Sequence, residues 1–316
     1  MATTTNITTT FSGEWKKKYI SAALLSAPTI ENGLVTVLDN IKYKEVIQRL
    51  DDGNVLADAS CDFAAVGEVN LTERILEPKE LQLNRVLCKK DFRSTWESIE
   101  MGNSIYDNIP PSFADFLMAH YAAKVAASVE KSIWTGDKTN TGEFDGFSTL
   151  LALDADLPAA QEIAGATVTA ANVIDELFKI FDAIPETLYG KEDLHIYVSQ
   201  NIYRAYIVAL GGFGSAGLGA NGVGGLGTNQ DLQPVYYAGV KLVMVPGLAA
   251  NTAIAAQTAN LFFGTGLVGD MTEARVIDTS ETLGDQNVRV IMRMTGGVNY
   301  GVVEDIVTYG IPNAAN

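Results

Sequence analysis

Residues 211–227, GGFGSAGLGANGVGGLG, hold nine glycines in seventeen positions and contain GxGxxG spacings, among them Gly212-Gly214-Gly217 and Gly217-Gly219-Gly222. That spacing binds a dinucleotide when a strand precedes it and a helix follows, so that backbone amides and the helix dipole meet the pyrophosphate. Here a predicted helix precedes and none is expected to follow, and no acidic residue stands about twenty positions on at a strand end to hold a ribose. The segment reads instead as a loop without bulk, and no cofactor is expected. His120 and His195, with Cys61 and Cys88, have no metal-ligand spacing. Asp137, Thr139, Thr141 and Gly142 begin like a calcium loop, but Ser148 stands where the bidentate acid belongs. Carboxylates are plentiful, yet nothing singles out a pair, and there is no G-x-S-x-G elbow, P-loop or HExxH. The chain is not expected to be an enzyme.

Charge narrows the partners. The 316 residues carry 38 acidic and 22 basic side chains, net −16. A surface devoted to nucleic acid or anionic membrane is therefore not expected. Residues 1–50 hold six Lys/Arg and four Asp/Glu, net +2, leaving −18 for the rest. The one basic run, Lys16-Lys17-Lys18, reads either as the solvated face of a short helix or as an arm facing DNA or a scaffold. Two cysteines without CxxC spacing suit a reducing compartment. The start MATTTNITTTFSGEW lacks a basic n-region and an apolar h-region, so no secretory signal is read. Numbered from Met1, the chain is expected to have lost no propeptide.

The elements that must position these residues follow from periodicity. Between Pro110 and Gly146, Phe113, Phe116, Leu117, Tyr121, Val125, Val129 and Ile133 recur at helical spacing. The spacing predicts a helix over 112–135, with Ser112 as N-cap and Gly136 as a left-handed stop. Upstream, Asp51-Asp52-Gly53-Asn54 is a turn signal. Two extended segments, Ala59–Leu76 and Leu81–Trp96, then flank Glu77-Pro78-Lys79 and suggest a projecting hairpin. Downstream, Thr169–Pro185 is an amphipathic helix, Leu194–Val198 a buried strand and Asn201–Leu210 a second helix. Short strands follow at 234–237, 240–245, 260–264 and 273–277. A final strand pair within 287–308 is expected to turn at Gly296-Gly297.

A long helix ending in TGD, a short polar loop and Gly-Phe, set after an arm and a hairpin, resembles the spine helix of tailed-phage major capsid proteins of the HK97 type. The NLFFGTG stretch and the closing VEDIVTYG add to the resemblance. It implies an α+β, HK97-like fold: an N-terminal arm (1–50), an extended β-hairpin loop (51–98), a peripheral domain with the spine helix (99–165 and 270–316) and an axial domain (166–269). The implied function is mechanical. The chain is expected to self-assemble into hexamers and pentamers of an icosahedral head enclosing double-stranded DNA, in the virion after assembly in a bacterial cytoplasm. Implied partners are further copies, a separate scaffolding protein, a portal and decoration proteins, and packaged DNA bound without sequence preference.

Contacts between copies are then expected at Gly211, Gly217, Gly222 and Gly227 in the glycine loop and at Val66, Val69 and Leu71 on the hairpin, with Lys16, Lys17 and Lys18 facing DNA or scaffold. Some shells of this kind are welded through a Lys, an Asn and a nearby Glu, for which Lys79, Asn299 and Glu304 lie in suitable segments. An encapsulin-type nanocompartment shares the implied fold. A soluble enzyme with a glycine-rich lid is the reading from a different class.

Overall fold

The computed structural model describes residues 28–52, 69–89, 111–210, 235–266, 273–279 and 284–315. Two compact units divide them. The first takes residues 80–89, 111–128, 273–279 and 284–294, and the second takes the remainder. Among the described residues no helix is long and apolar enough to cross a membrane.

The first described elements are a short helix α1 (Pro28–Glu31), strand β1 (Thr36–Leu38), β2 (Glu45–Asp52), β3 (Val69–Leu76) and β4 (Lys79–Cys88). Helix α2 (Pro111–Thr135) follows, 25 residues long or about 37 Å at 1.5 Å per residue. Pro111 is its first residue, where a missing amide costs nothing. Next come α3 (Phe147–Leu151), β5 (Glu162–Ile163), α4 (Val173–Asp182), β6 (Leu194–Val198) and α5 (Gln200–Ala209). Strands β7 (Val235–Tyr237), β8 (Val240–Met244), β9 (Ala253–Gln257), β10 (Leu261–Gly264), β11 (Glu273–Asp278), β12 (Asn287–Tyr300) and β13 (Val307–Tyr309) complete it.

In the first unit, β11 and β4 both pair with β12, and β11 runs antiparallel from Glu273↔Arg293 to Asp278↔Val288. Alternation sends Val288, Val290 and Met292 inward while Arg289 and Arg293 stay exposed. Leu117 of α2 packs on Val290, with Leu83, Leu87, Tyr121 and Val276 around them. Lys89, almost fully buried, is held by an ion pair with Asp278.

In the second unit a six-stranded mixed sheet has the order β5-β13-β9-β6-β8-β7. Helices α4 and α5 cover one face: Val173, Leu177 and Ile180 meet Ile196, Val198, Ala255 and Val307 in the main core. On α4, Val173, Leu177 and Ile180 lie on one stripe, which is why this helix is the most readable in the sequence. Trp134 from the last turn of α2 lies 5.0 Å from Tyr197 and 5.3 Å from Phe147, ring centre to ring centre. With both faces covered, β6 is apolar at nearly every position. Burial pushes the Tyr197 hydroxyl up to about 12, and it donates to Leu34 O at 2.9 Å.

Four expectations change. First, β12 runs straight through Gly296 and Gly297, with Gly297 opposite Gly264 on β10, so there is no turn there. The glycines serve close packing: a Cβ on Gly297 would sit 3.0 Å from Glu77 O, and one on Gly296 would sit 3.1 Å from Phe144 Cε1. Second, β13 joins the six-stranded sheet between β5 and β9. Third, Gly136 ends α2 without a left-handed φ; a Cβ there would lie 2.2 Å from Phe144 O, where the chain folds back and Gly146 N donates to Gly136 O at 2.9 Å. Fourth, the hairpin pairs β2 with β3, Glu45↔Leu76 through Asp52↔Val69, and not the segments either side of Glu77-Pro78. Pro78 lacks an amide for a ladder, and the alternating leucines of β4 are used in the first unit.

Candidate assembly surfaces

The antiparallel register of β2 and β3 sorts their side chains onto two faces. One face carries Val46 opposite Ile75 and Leu50 opposite Leu71, each between 44% and 61% exposed. Between these pairs Gln48 Nε2 donates to Glu73 Oε1 at 3.0 Å. The other face carries Leu76, Ile47, Arg74 and Arg49. Leu76 is buried over Gly264, where a Cβ would come within 2.7 Å of it.

Polar contacts hold that second face. Arg74 Nη2 lies 2.7 Å from Asp154 Oδ2, and its guanidinium lies over the Tyr300 ring at 4.6 Å. Tyr300 donates its hydroxyl to the same Asp154 oxygen at 2.6 Å. Burial opposes ionisation of Asp154, but hydrogen bonds from Tyr300, the Asp156 amide and Arg74 outweigh it and hold the carboxyl below its usual range. Tyr300 is pushed well above the usual phenol range by burial and by that carboxylate. Arg49 pairs with Glu304 at 2.6 Å, and Asn299 Nδ2 donates to Ile75 O at 2.8 Å. The ribbon is therefore fastened by one face and presents an uncovered apolar face on the other. Two strands alone are marginal in water, and an exposed flat apolar ribbon is a template for further association.

The end of α2 is also built closely. Glu130, 1% exposed, accepts from Thr29 N at 3.2 Å and from Thr29 Oγ1 at 2.6 Å. Trp134 Nε1 donates to Thr29 Oγ1 at 2.8 Å. Burial raises the Glu130 carboxyl above its usual range, opposed by these hydrogen bonds. The 137–145 loop takes up its own carboxylates. Asp137 accepts from the Thr139 amide, Glu143 from Asn140 and Lys131, and Asp145 from the Lys138 amide and ammonium. The Asn140 hydrogen bond and then Lys131 hold Glu143 below its usual range. Among the described residues no group of three or more His, Cys, Asp or Glu could hold a metal.

Of the contact residues expected from sequence, Leu71 lies on the exposed hairpin face and Val69 on the same strand. Val66, the glycines at 211, 217, 222 and 227, and Lys16, Lys17 and Lys18 lie outside the described residues. Lys79 Nζ donates to Glu143 O at 2.7 Å and to Lys138 O at 3.2 Å, while Asn299 and Glu304 are engaged at the hairpin base. Each of the three has a partner within its own chain. His120 sits half-buried in α2 beside Tyr121, and His195 Nδ1 lies 2.8 Å from Asp193 O. Sequence reasoning missed the clasp of Arg74, Asp154 and Tyr300, because its members come together only when the hairpin docks.

No family model matches the chain, and no curated protein matches it. Solved structures do. The capsid of a native GTA particle matches over 98% of this chain and 95% of its own, with 11% identity and a TM-score of 0.57. The capsid of the cyanophage P-SCSP1u matches over 95% and 91%, with 14% identity and a TM-score of 0.56. A structure of Mycobacterium phage Adephagia matches over 96% and 94%, with 10% identity and a TM-score of 0.56. Nearly the whole chain, and not one module of it, thus has the α+β fold of these phage and GTA structures.

Proposed function

We propose that this chain is the major capsid protein of a tailed double-stranded DNA phage, a structural protein that assembles into the hexamers and pentamers of a head shell. The observation that carries the reading is the full-length fold match to capsids, in which almost nothing of either chain is left over for another role. The uncovered ribbon face of Val46, Leu50, Leu71 and Ile75 supports it, since exposed apolar patches mark surfaces of association. In this reading the hairpin lies over a neighbouring copy, and the clasp of Arg74, Asp154 and Tyr300 sets its direction.

The finer parts of the reading are also proposals. Residues 1–50 serve as an arm whose Lys16, Lys17 and Lys18 face DNA or scaffold, and the glycine loop lies where axial domains converge. A separate scaffolding protein and a portal complete assembly, and no catalytic step is required. Negative-stain electron microscopy of the purified full chain, with size-exclusion chromatography, tests this. Closed shells, or rings of five and six, are expected. A uniform dimer or tetramer would contradict it.

A further inference from the structure

The short helix α1 is held to the second unit at one point. Of its residues only Thr29 is buried, while Glu31 and the Asn32-Gly33 pair that follows are exposed. Beyond that pair the chain is secured again: Leu34 and Val35 are buried, Leu34 O accepts from Tyr197, and pairing with β10 begins at Thr36. Gly33 sits between the two at φ +62°, a conformation that glycine adopts without strain. Helix α1 is thus a small element with a single anchor and a glycine at its base.

The anchor is the Glu130 carboxylate, which accepts both the amide and the hydroxyl of Thr29. Among the described residues no cation pairs with it. The neighbouring Lys131 lies 3.0 Å from Glu143, and the loop of residues 245–248, which presses on Glu130, brings no charged side chain. Nor can the carboxylate turn out to water by itself. A Cβ on Gly247 would lie 2.3 Å from Glu130 O and 2.8 Å from Trp134 Cδ1, and Thr135 Oγ1 donates to Gly247 O at 3.1 Å. Trp134 is packed between Tyr197 and Phe147. The end of α2 is therefore fixed, and α1 is the side that can move.

We infer that Glu130 and Thr29 form a proton-controlled latch: α1 is docked while Glu130 is neutral, and ionisation of Glu130 releases it about Asn32-Gly33 so that water reaches the carboxylate. The neutral form keeps the anchor, since a carboxyl O–H can donate to the Thr29 hydroxyl in place of accepting from it. The ionised form is a buried charge without a counterion, which is strongly disfavoured. Burial accordingly raises the carboxyl above its usual range, so the docked state holds the proton more tightly than the released one, and rising pH favours release. Residues 1–27 join the second unit through α1, so the latch governs how they are tethered. The inference does not depend on the capsid reading. Two other titratable groups lie close by. Tyr197, pushed up to about 12, stays neutral. His195 stacks on Tyr197 at 6.0 Å with Nδ1 2.8 Å from Asp193 O, and burial lowers its affinity for a proton.

Hydrogen exchange of the full chain, read by mass spectrometry at pH 5 and pH 8 and corrected for the intrinsic rate at each pH, tests the latch. In the wild type, residues 28–34 should lose protection by about fivefold or more between pH 5 and pH 8. They should do so through a local opening that sub-denaturing urea does not accelerate, whereas β6 and α4 exchange through slower, urea-dependent unfolding. Glu130→Gln should show the same protection over 28–34 at both pH values, and Thr29→Val should show low protection at both. Wild-type protection that does not change with pH, or residues 28–34 exchanging in step with β6, would overturn the inference. So would a Glu130→Gln variant that keeps the wild-type pH dependence, which would assign the effect to His195.

Discussion

Glu130 and Thr29, 101 residues apart, meet in a two-point hydrogen bond with no cation between them: the carboxylate takes both the amide and the hydroxyl of the threonine. Trp134 adds a third bond to the same hydroxyl. The entry segment is thereby fixed to the end of the long helix through a buried charge. Thr29→Val would leave the Trp134 N–H and one carboxylate oxygen without partners, at a cost of about 2–4 kcal/mol. Urea denaturation of wild type and variant measures it, and a loss below about 0.5 kcal/mol would contradict the geometry.

The same carboxylate predicts a pH dependence. Its folded-state pKa is raised by burial, so its favourable contribution is complete below the ordinary carboxylate range and is lost as pH rises through the raised value. The Glu130→Gln variant has no such loss. Its melting temperature relative to wild type should therefore be higher at pH 8 than at pH 5. An equal difference at both pH values would show that Glu130 is not held in a desolvated site.

Asp154 behaves in the opposite sense. Held below its usual range by Tyr300, Asp156 and Arg74, it stabilises the fold above the ordinary carboxylate range and loses that contribution as pH falls. Arg74→Ala should cost about 1–3 kcal/mol near neutrality and should flatten the acid limb of the stability profile. Thermal melts between pH 3 and pH 7 would show it. A variant as acid-sensitive as the wild type would remove Arg74 from the clasp.

Gly136→Ala tests the close fold-back after the long helix. The added methyl would meet Phe144 O at 2.2 Å, and that atom is backbone that cannot rotate away. A loss of about 3 kcal/mol is expected. Gly142→Ala, where no atom lies within 4 Å of the added carbon, separates φ strain alone from overlap, since Gly142 has φ +84°. The Gly136 variant should be the less stable of the two, and the reverse order would contradict this account of the junction.

The uncovered ribbon face predicts a variant that folds but does not assemble. Leu71→Asp with Ile75→Asp changes two exposed side chains, so the monomer should melt within about 0.5 kcal/mol of the wild type. Shells, however, should be absent by electron microscopy. Normal shells from this double variant would remove the hairpin face from the assembly.

Much of the scaffold was legible because it rests on local periodicity. The stripe through Leu117, Val129 and Ile133 marks α2 to within a residue, and LHIYV marks β6 without error. What the sequence hid depends on distance. Whether Gly296-Gly297 turns or runs straight is decided by Phe144 and Glu77 pressing on it, and a dipeptide carries no trace of them. Strand β9, AIAAQ, has the composition of a helix and becomes a strand because β6 and β13 flank it. By sequence Pro78 reads as a turn within a ribbon, whereas it separates the ribbon from a strand that serves the other unit. The place of Leu71 in an extended run is legible; the pairing of Arg74 with Asp154 is not, since an ion pair 80 residues apart has no local signature.

The central claim is that the chain builds a shell from copies of itself. Sedimentation velocity of the purified full chain, over a series of protein and salt concentrations, tests it most directly. The account predicts concentration-dependent growth past rings of five and six to a fast boundary of closed particles. One dimer or tetramer, unchanged across the series, would contradict it.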